Sequence, residues 1–159
     1  MPVAVIRDGG RKEHLVLAAG IANSWTSDNT EVRAGGLHLL IKMLAGIAHS
    51  TRYAAVHATG GTPDVMGREL HLAVARTPSG YWSARQAAFV APNEGQSYAD
   101  LAIDSLDFVG REIEAARGRM ADDSDVGEAF LIALQSISAV LGHAADWLGH
   151  RDGLVEGQP

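Results

Sequence analysis

The fold class depends on residues 73–89, which read AVARTPSGYWSARQAAF. Two interpretations compete: two strands around a tight turn, or two short helices broken at Pro-Ser-Gly. The preceding ELHLAVA alternates apolar and other residues, and the following GYWSARQAAFV carries aromatic and β-branched residues near its ends, as strands do. In the Thr-Pro-Ser-Gly of 77–80, proline at the second position fixes φ and glycine at the fourth accepts a left-handed backbone. The sequence therefore predicts a hairpin at 68–91.

The remaining segments predict an α+β protein. PVAVIR at 2–7 indicates a strand, DGG at 8–10 a turn, and RYAAVHA at 52–58 a further strand. Residues 11–25 favour a helix, with a returning hairpin strand as the alternative. Helical periodicity also covers 31–51, 97–120 and 125–150, and Asp28 with Glu31 has capping-box spacing.

The predicted architecture is a small antiparallel sheet packed against several long helices. In it Leu70, Leu72 and Val74 face the helices. The alternative is an all-α bundle. We expect a single domain over 1–152 and a flexible polar tail over 153–159.

Composition excludes several classes of function. The chain has 159 residues and a formal net charge of −6, which argues against the basic surface that nucleic acids require. It has no cysteine, which excludes disulfides and thiolate metal sites and favours a reducing cytoplasm. We find no signal peptide at the N-terminus and no apolar run near the roughly 20 residues that span a bilayer, so no membrane association is expected.

Histidines and a lysine form the candidate pocket. On helix 31–51 the apolar residues cover more than half of the circumference, and His38, Lys42 and His49 share the remaining stripe. Such a stripe either lines a pocket, where a partly buried Lys or His serves as acid or base, or simply faces water. His57 and His71 complete the set of candidates, in a pocket expected between sheet and helices.

One combination on the last helix has the spacing of metal ligands. His143, Asp146 and His150 lie on one side of the helix, and imidazole with carboxylate suits Zn²⁺ or Fe²⁺. The simpler interpretation is electrostatic, because His150 and Arg151 lie near a helix C-terminus and favour its dipole. Since no partner ligands are evident elsewhere, we expect no bound metal and no cofactor.

The last helix carries more apolar surface than one face can hold. Its main apolar face, which we expect to dock on the chain's own domain, comprises Phe130, Ile137, Val140, Leu141, Ala144 and Leu148. Leu131, Ile132 and Ala139 fall outside this face. They predict a second docking surface, which a twofold homodimer would cover.

No catalytic motif is recognisable: there is no cysteine nucleophile, no G-x-S-x-G elbow and no P-loop. The favoured function is therefore an intracellular accessory or regulatory protein that acts through contacts with other proteins and through self-association. The alternative is a small-molecule-binding protein or enzyme that uses the His/Lys pocket.

Overall fold

The computed structural model describes the backbone of residues 2–7, 10–57, 64–121 and 126–156, and the side chains of 15–53, 64, 67–119 and 126–155. Two strands open the chain, β1 (Pro2–Arg7) and β2 (Gly10–Leu15). Six helices follow: α1 (Ala19–Ser24), α2 (Thr30–His57), α3 (Val65–Val74), α4 (Arg76–Ala87), α5 (Gly95–Ala121) and α6 (Val126–Glu156). Short 3₁₀ turns at Ala88–Val90 and Pro92–Glu94 lead into α5.

The predicted hairpin at 68–91 is wrong, because this segment is helical. α3 ends at Val74, and Ala75 keeps a right-handed helical backbone (φ −60°, ψ −28°) as the chain enters α4. Pro78 lies in the first turn of α4, where a backbone N–H would have no helical partner, so the missing N–H of proline costs nothing. Its ring prevents α3 and α4 from forming one unbroken helix. Thr-Pro-Ser-Gly is thus the first turn of a helix. Its glycine, Gly80, lies against the Asp146 carboxylate rather than in a turn.

The body of the protein is all-α, so the α+β prediction is wrong and the all-α alternative is correct. β1 and β2 pair antiparallel, with Val5 opposite Lys12, and form a sheet with each other alone. The strand predicted at 52–58 is instead the end of α2, whose last residue is His57. Leu70, Leu72 and Val74, expected to face the helices from a sheet, are exposed on α3.

Three boundaries differ from the predicted ones for local reasons. The helix expected over 11–25 starts only at Ala19, because residues 10–15 pair with β1. α2 is capped by Asn29 and not by Asp28: the Asn29 Oδ1 accepts the backbone N–H of Glu31 at 2.9 Å. At the other end, α6 continues to Glu156, four residues into the segment predicted as a tail.

Each long helix packs most closely on the next in the order α2, α4, α6, α5. α4 and α6 run parallel and approach closely. A Cβ at Gly149 or Gly153 would overlap the carbonyl oxygen of Tyr81 or of Arg85. This contact needs residues without side chains, and the GHRDG at 149–153 supplies them. α2 and α5, at the two ends of this order, share far fewer backbone contacts with each other than either has with its neighbour.

Small residues make up the core. Within the described residues, the buried hydrophobic side chains are Val109 and the alanines Ala73, Ala84, Ala87, Ala88, Ala91, Ala116, Ala129 and Ala145. The largest fully buried side chain there is a histidine, His150. The close approach of the helices therefore leaves many large apolar side chains exposed or only half-buried.

Candidate functional site

A cluster of five polar side chains lies where α2, α5 and α6 meet. We call it the polar cluster: His38 and Lys42 from α2, Tyr98 from α5, and Asp146 and His150 from α6. The ring centroids of His38 and His150 are 5.6 Å apart, and those of Tyr98 and His150 are 5.4 Å apart. Through these side chains α2 contacts α5 and α6, with which it shares few backbone contacts.

The hydrogen bonds of the polar cluster run in one direction. His38 Nδ1 lies 2.8 Å from the carbonyl oxygen of Ala87, which only accepts, so Nδ1 carries the hydrogen. In the neutral ring Nε2 then accepts, and the Tyr98 hydroxyl donates to it across 2.8 Å. Lys42 donates to the Tyr98 oxygen at 3.2 Å and forms an ion pair with Asp146 Oδ2 at 2.7 Å. The ammonium of Lys42 also lies 4.5 Å from the centroid of the Tyr98 ring.

Burial controls the protonation of the polar cluster. Desolvation lowers the pKa of His38, and the charges of His150 and Lys42 lower it further, while its hydrogen bond to Ala87 opposes the shift. Desolvation raises the pKa of Tyr98, against the opposing effect of the Lys42 ammonium. Both groups are therefore neutral at neutral pH, as the hydrogen-bond directions require.

Two buried polar atoms of the cluster lack a hydrogen-bond partner: Asp146 Oδ1 and His150 Nδ1. His150 has no exposed surface, and its Nε2 lies 3.2 Å from the Pro92 carbonyl oxygen. A Cβ at Gly95 would lie 3.2 Å from the His150 ring, and one at Gly80 would lie 3.1 Å from Asp146 Oδ1. The backbone thus closes tightly over these two side chains.

The predicted pocket residues divide into separate groups. His38 and Lys42 belong to the polar cluster. His49 and His71 instead each stack with Tyr53, with ring centroids 6.0 Å and 6.5 Å from the tyrosine ring. His57 ends α2, and its side chain lies outside the described residues. The pocket was expected between a sheet and the helices, and that setting is wrong because the helical body includes no sheet.

The metal-ligand candidates of α6 have other neighbours. In the part of the chain that the structure describes, no three His, Cys, Asp or Glu residues form a group that could hold a metal ion. Asp146 is paired with Lys42, and His150 faces Pro92 and Gly95. His143 keeps its place on α6, with a buried Nδ1 that has no hydrogen-bond partner.

A separate apolar cleft of about 440 Å³ lies along α4 and α6. Tyr81 and Trp82 line it from α4, and Leu141 and Leu148 line it from α6. Its remaining lining residues are His49, Thr77, Pro78, Ala144 and Ala145. No member of the polar cluster lines this cleft, so the charged groups and the apolar concavity are on different parts of the surface.

α6 also meets the length and composition of a membrane-spanning helix. Its segment Val126–Val155 has a best 18-residue window with a mean hydropathy of 1.4, of which 11% is buried. Core helices of soluble proteins meet the same criteria, so this property does not place the protein in a membrane. It does show that the sequence analysis, which expected no apolar run near 20 residues, underestimated the length and hydropathy of α6.

No family model, no curated protein and no solved structure matches this chain. What the protein does is therefore inferred from its own surfaces and side chains.

Tyr98 is the member of the polar cluster that the sequence did not single out. At the sequence level it belongs to the apolar face of its helix, because a tyrosine ring packs like a phenylalanine ring. The available signal was its hydroxyl, since a buried tyrosine usually finds a hydrogen-bond partner. The partners themselves are 60 and 56 residues away, on α2.

Proposed function

We propose that this chain is a self-associating helical module, an accessory protein that acts through protein–protein contacts and whose apolar surface is completed by a second copy. One observation carries the proposal: in the described residues alanine makes up most of the fully buried apolar side chains, while many large apolar side chains are exposed. Among the exposed ones are Leu101, Ile103, Leu106, Phe108, Leu131 and Ile137.

The energetics favour covering these side chains. Burying a Leu, Ile or Phe fully contributes about 1.5–3 kcal/mol, and an alanine side chain contributes only a fraction of that. A monomer leaves most of this free energy unused. Single exposed apolar residues are ordinary, but α3, α5 and α6 each carry several.

The polar cluster fits a structural role within such a module. Its hydrogen bonds are made to other protein groups, and it joins α2, α5 and α6. The apolar cleft along α4 and α6 is lined by other residues. These observations favour a contact function over the alternative of an enzyme with a His/Lys pocket.

Sedimentation velocity at micromolar concentration tests the proposal. We expect the wild-type chain to sediment with about twice the 16.8 kDa mass of one chain. A species of single-chain mass at every accessible concentration would contradict the proposal.

A further inference from the structure

We propose that the second copy docks along one stripe of α6, here called the heptad stripe. Its large residues are Phe130, Leu134, Ile137, Leu141, Leu148 and Val155. This inference rests on the proposed self-association and assigns its interface.

The spacing of the heptad stripe is that of a coiled-coil seam. From Phe130 to Val155 the intervals alternate between four and three residues, with Ala144 and Arg151 filling the two remaining positions. Leucines recur every seven residues at 134, 141 and 148. This alternation gives a narrow seam about 38 Å long, suited to one facing helix rather than to a surrounding core.

The chain's own helices leave this stripe partly open. α4 packs on the glycine side of α6, through Gly149 and Gly153, and α5 packs on the side of His150. At 100° per residue, the heptad stripe lies about 100–140° from the glycine side and about 160° from the His150 side, so it faces a third direction. Accordingly Ile137 is 42% exposed and Val155 is 69% exposed. The other large residues of the stripe are half-buried.

The apolar cleft lies along this face of α6. Leu141, Ala144 and Leu148 of the heptad stripe form one of its walls, and Tyr81 and Trp82 stand on the other. A helix laid along the stripe would place its own side chains in the cleft, as a knob enters a hole. Two buried polar atoms that lack partners, His49 Nδ1 and Thr77 Oγ1, belong to residues that line the cleft.

A second copy suits the heptad stripe better than other occupants. A twofold axis brings the same stripe of both copies together, so one apolar seam covers the other with no further sequence requirement. The seam carries a single charged residue, Arg151, near its end.

A lipid bilayer suits the same helix poorly. Asp146 and Arg151 lie within Val126–Val155, and Lys42 is ion-paired to the first of them. Each charged residue near the centre of a bilayer costs about 2.5–3.5 kcal/mol.

The test compares two apolar residues of α6 that have equal exposure. Ile137, on the heptad stripe, and Leu131, on the surface first predicted for self-association, are both 42% exposed. We expect Ile137→Asp to weaken dimerisation by roughly 100-fold in Kd, the scale of losing one interface anchor. We expect Leu131→Asp to leave it unchanged. Sedimentation velocity measures the association, and far-UV circular dichroism confirms that each variant is folded.

If Ile137→Asp unfolds, the association of Val155→Asp, at the exposed end of the stripe, is measured instead. We expect this variant to lose the dimer as well. A dimer that survives both stripe variants overturns the proposed interface and leaves self-association standing. A wild-type monomer overturns both proposals, as does a monomer that floats with phosphatidylcholine vesicles.

Discussion

His38 is a buried residue whose hydrogen bonds depend on its protonation state. Its ring is 5% exposed and lies between Ala87 on one nitrogen and Tyr98 on the other. Both bonds suit the neutral ring, because a protonated Nε2 could not accept from the Tyr98 hydroxyl. A buried network of this kind stabilises the fold only while every member keeps the protonation state that its partners require.

We therefore expect stability to fall in mild acid through His38. Its folded pKa is lowered below 6.5 by burial. Below pH 6.5 the unfolded chain binds a proton that the folded chain resists, so the free energy of unfolding decreases as pH falls toward the folded pKa. At pH values well above 6.5, His38 adds no pH dependence to the free energy of unfolding. Urea unfolding at about pH 7.5 and about pH 5.5 measures the effect.

Two histidine variants provide the control for this prediction. His38→Gln should reduce the loss of stability between the two pH values. His71→Gln should keep the wild-type loss, since His71 is exposed on α3. Equal pH dependence in His38→Gln and wild type would contradict the assignment.

At the scale of elements, glycines set the distance between helices. α6 contains Gly142, Gly149 and Gly153, and these glycines have unequal surroundings. A Cβ at Gly149 would overlap the Tyr81 backbone, which cannot move away without shifting α4. A Cβ at Gly142 would meet nothing within 4 Å.

Gly149→Ala and Gly142→Ala should therefore have opposite effects on stability. We expect Gly149→Ala to destabilise by about 1–3 kcal/mol or more, the usual cost of overpacking. Gly142→Ala should stabilise by up to about 1 kcal/mol, because alanine favours the helix. Urea denaturation of both variants measures the difference. Equal effects would show that α4 and α6 do not approach through Gly149.

The sequence predicted the long helices well, because residues 97–120 and 125–150 have sustained helical periodicity. It failed at 68–91, where Pro78 and Gly80 suit both a turn and the first turn of a helix. The choice depends on a distant residue, since Gly80 lies against Asp146. Of the polar cluster, every member but Tyr98 was singled out, yet their meeting depends on how α2, α5 and α6 pack, which local patterns do not encode.

At the scale of the whole molecule, the closest contact of α6 with its own domain is not made by its predicted apolar face. Leu141, Ala144 and Leu148 of that face line the apolar cleft, together with Tyr81 and Trp82 of α4. The small residues of α6 make the intramolecular contact with α4. The reason is physical: glycine lets two helix backbones approach closely, which excludes bulky residues from that contact.

This arrangement predicts that thermal stability depends on protein concentration. If the heptad stripe is covered by a second copy, unfolding releases two chains, and mass action raises the apparent Tm as concentration increases. For two chains of this size we expect a rise of about 2 °C for each tenfold increase in concentration. Differential scanning calorimetry over a hundredfold range, about 2 to 200 μM, measures it. Val155→Asp, folded but monomeric, should show a Tm that does not change with concentration, and a wild-type Tm that is equally constant would argue against a dimer.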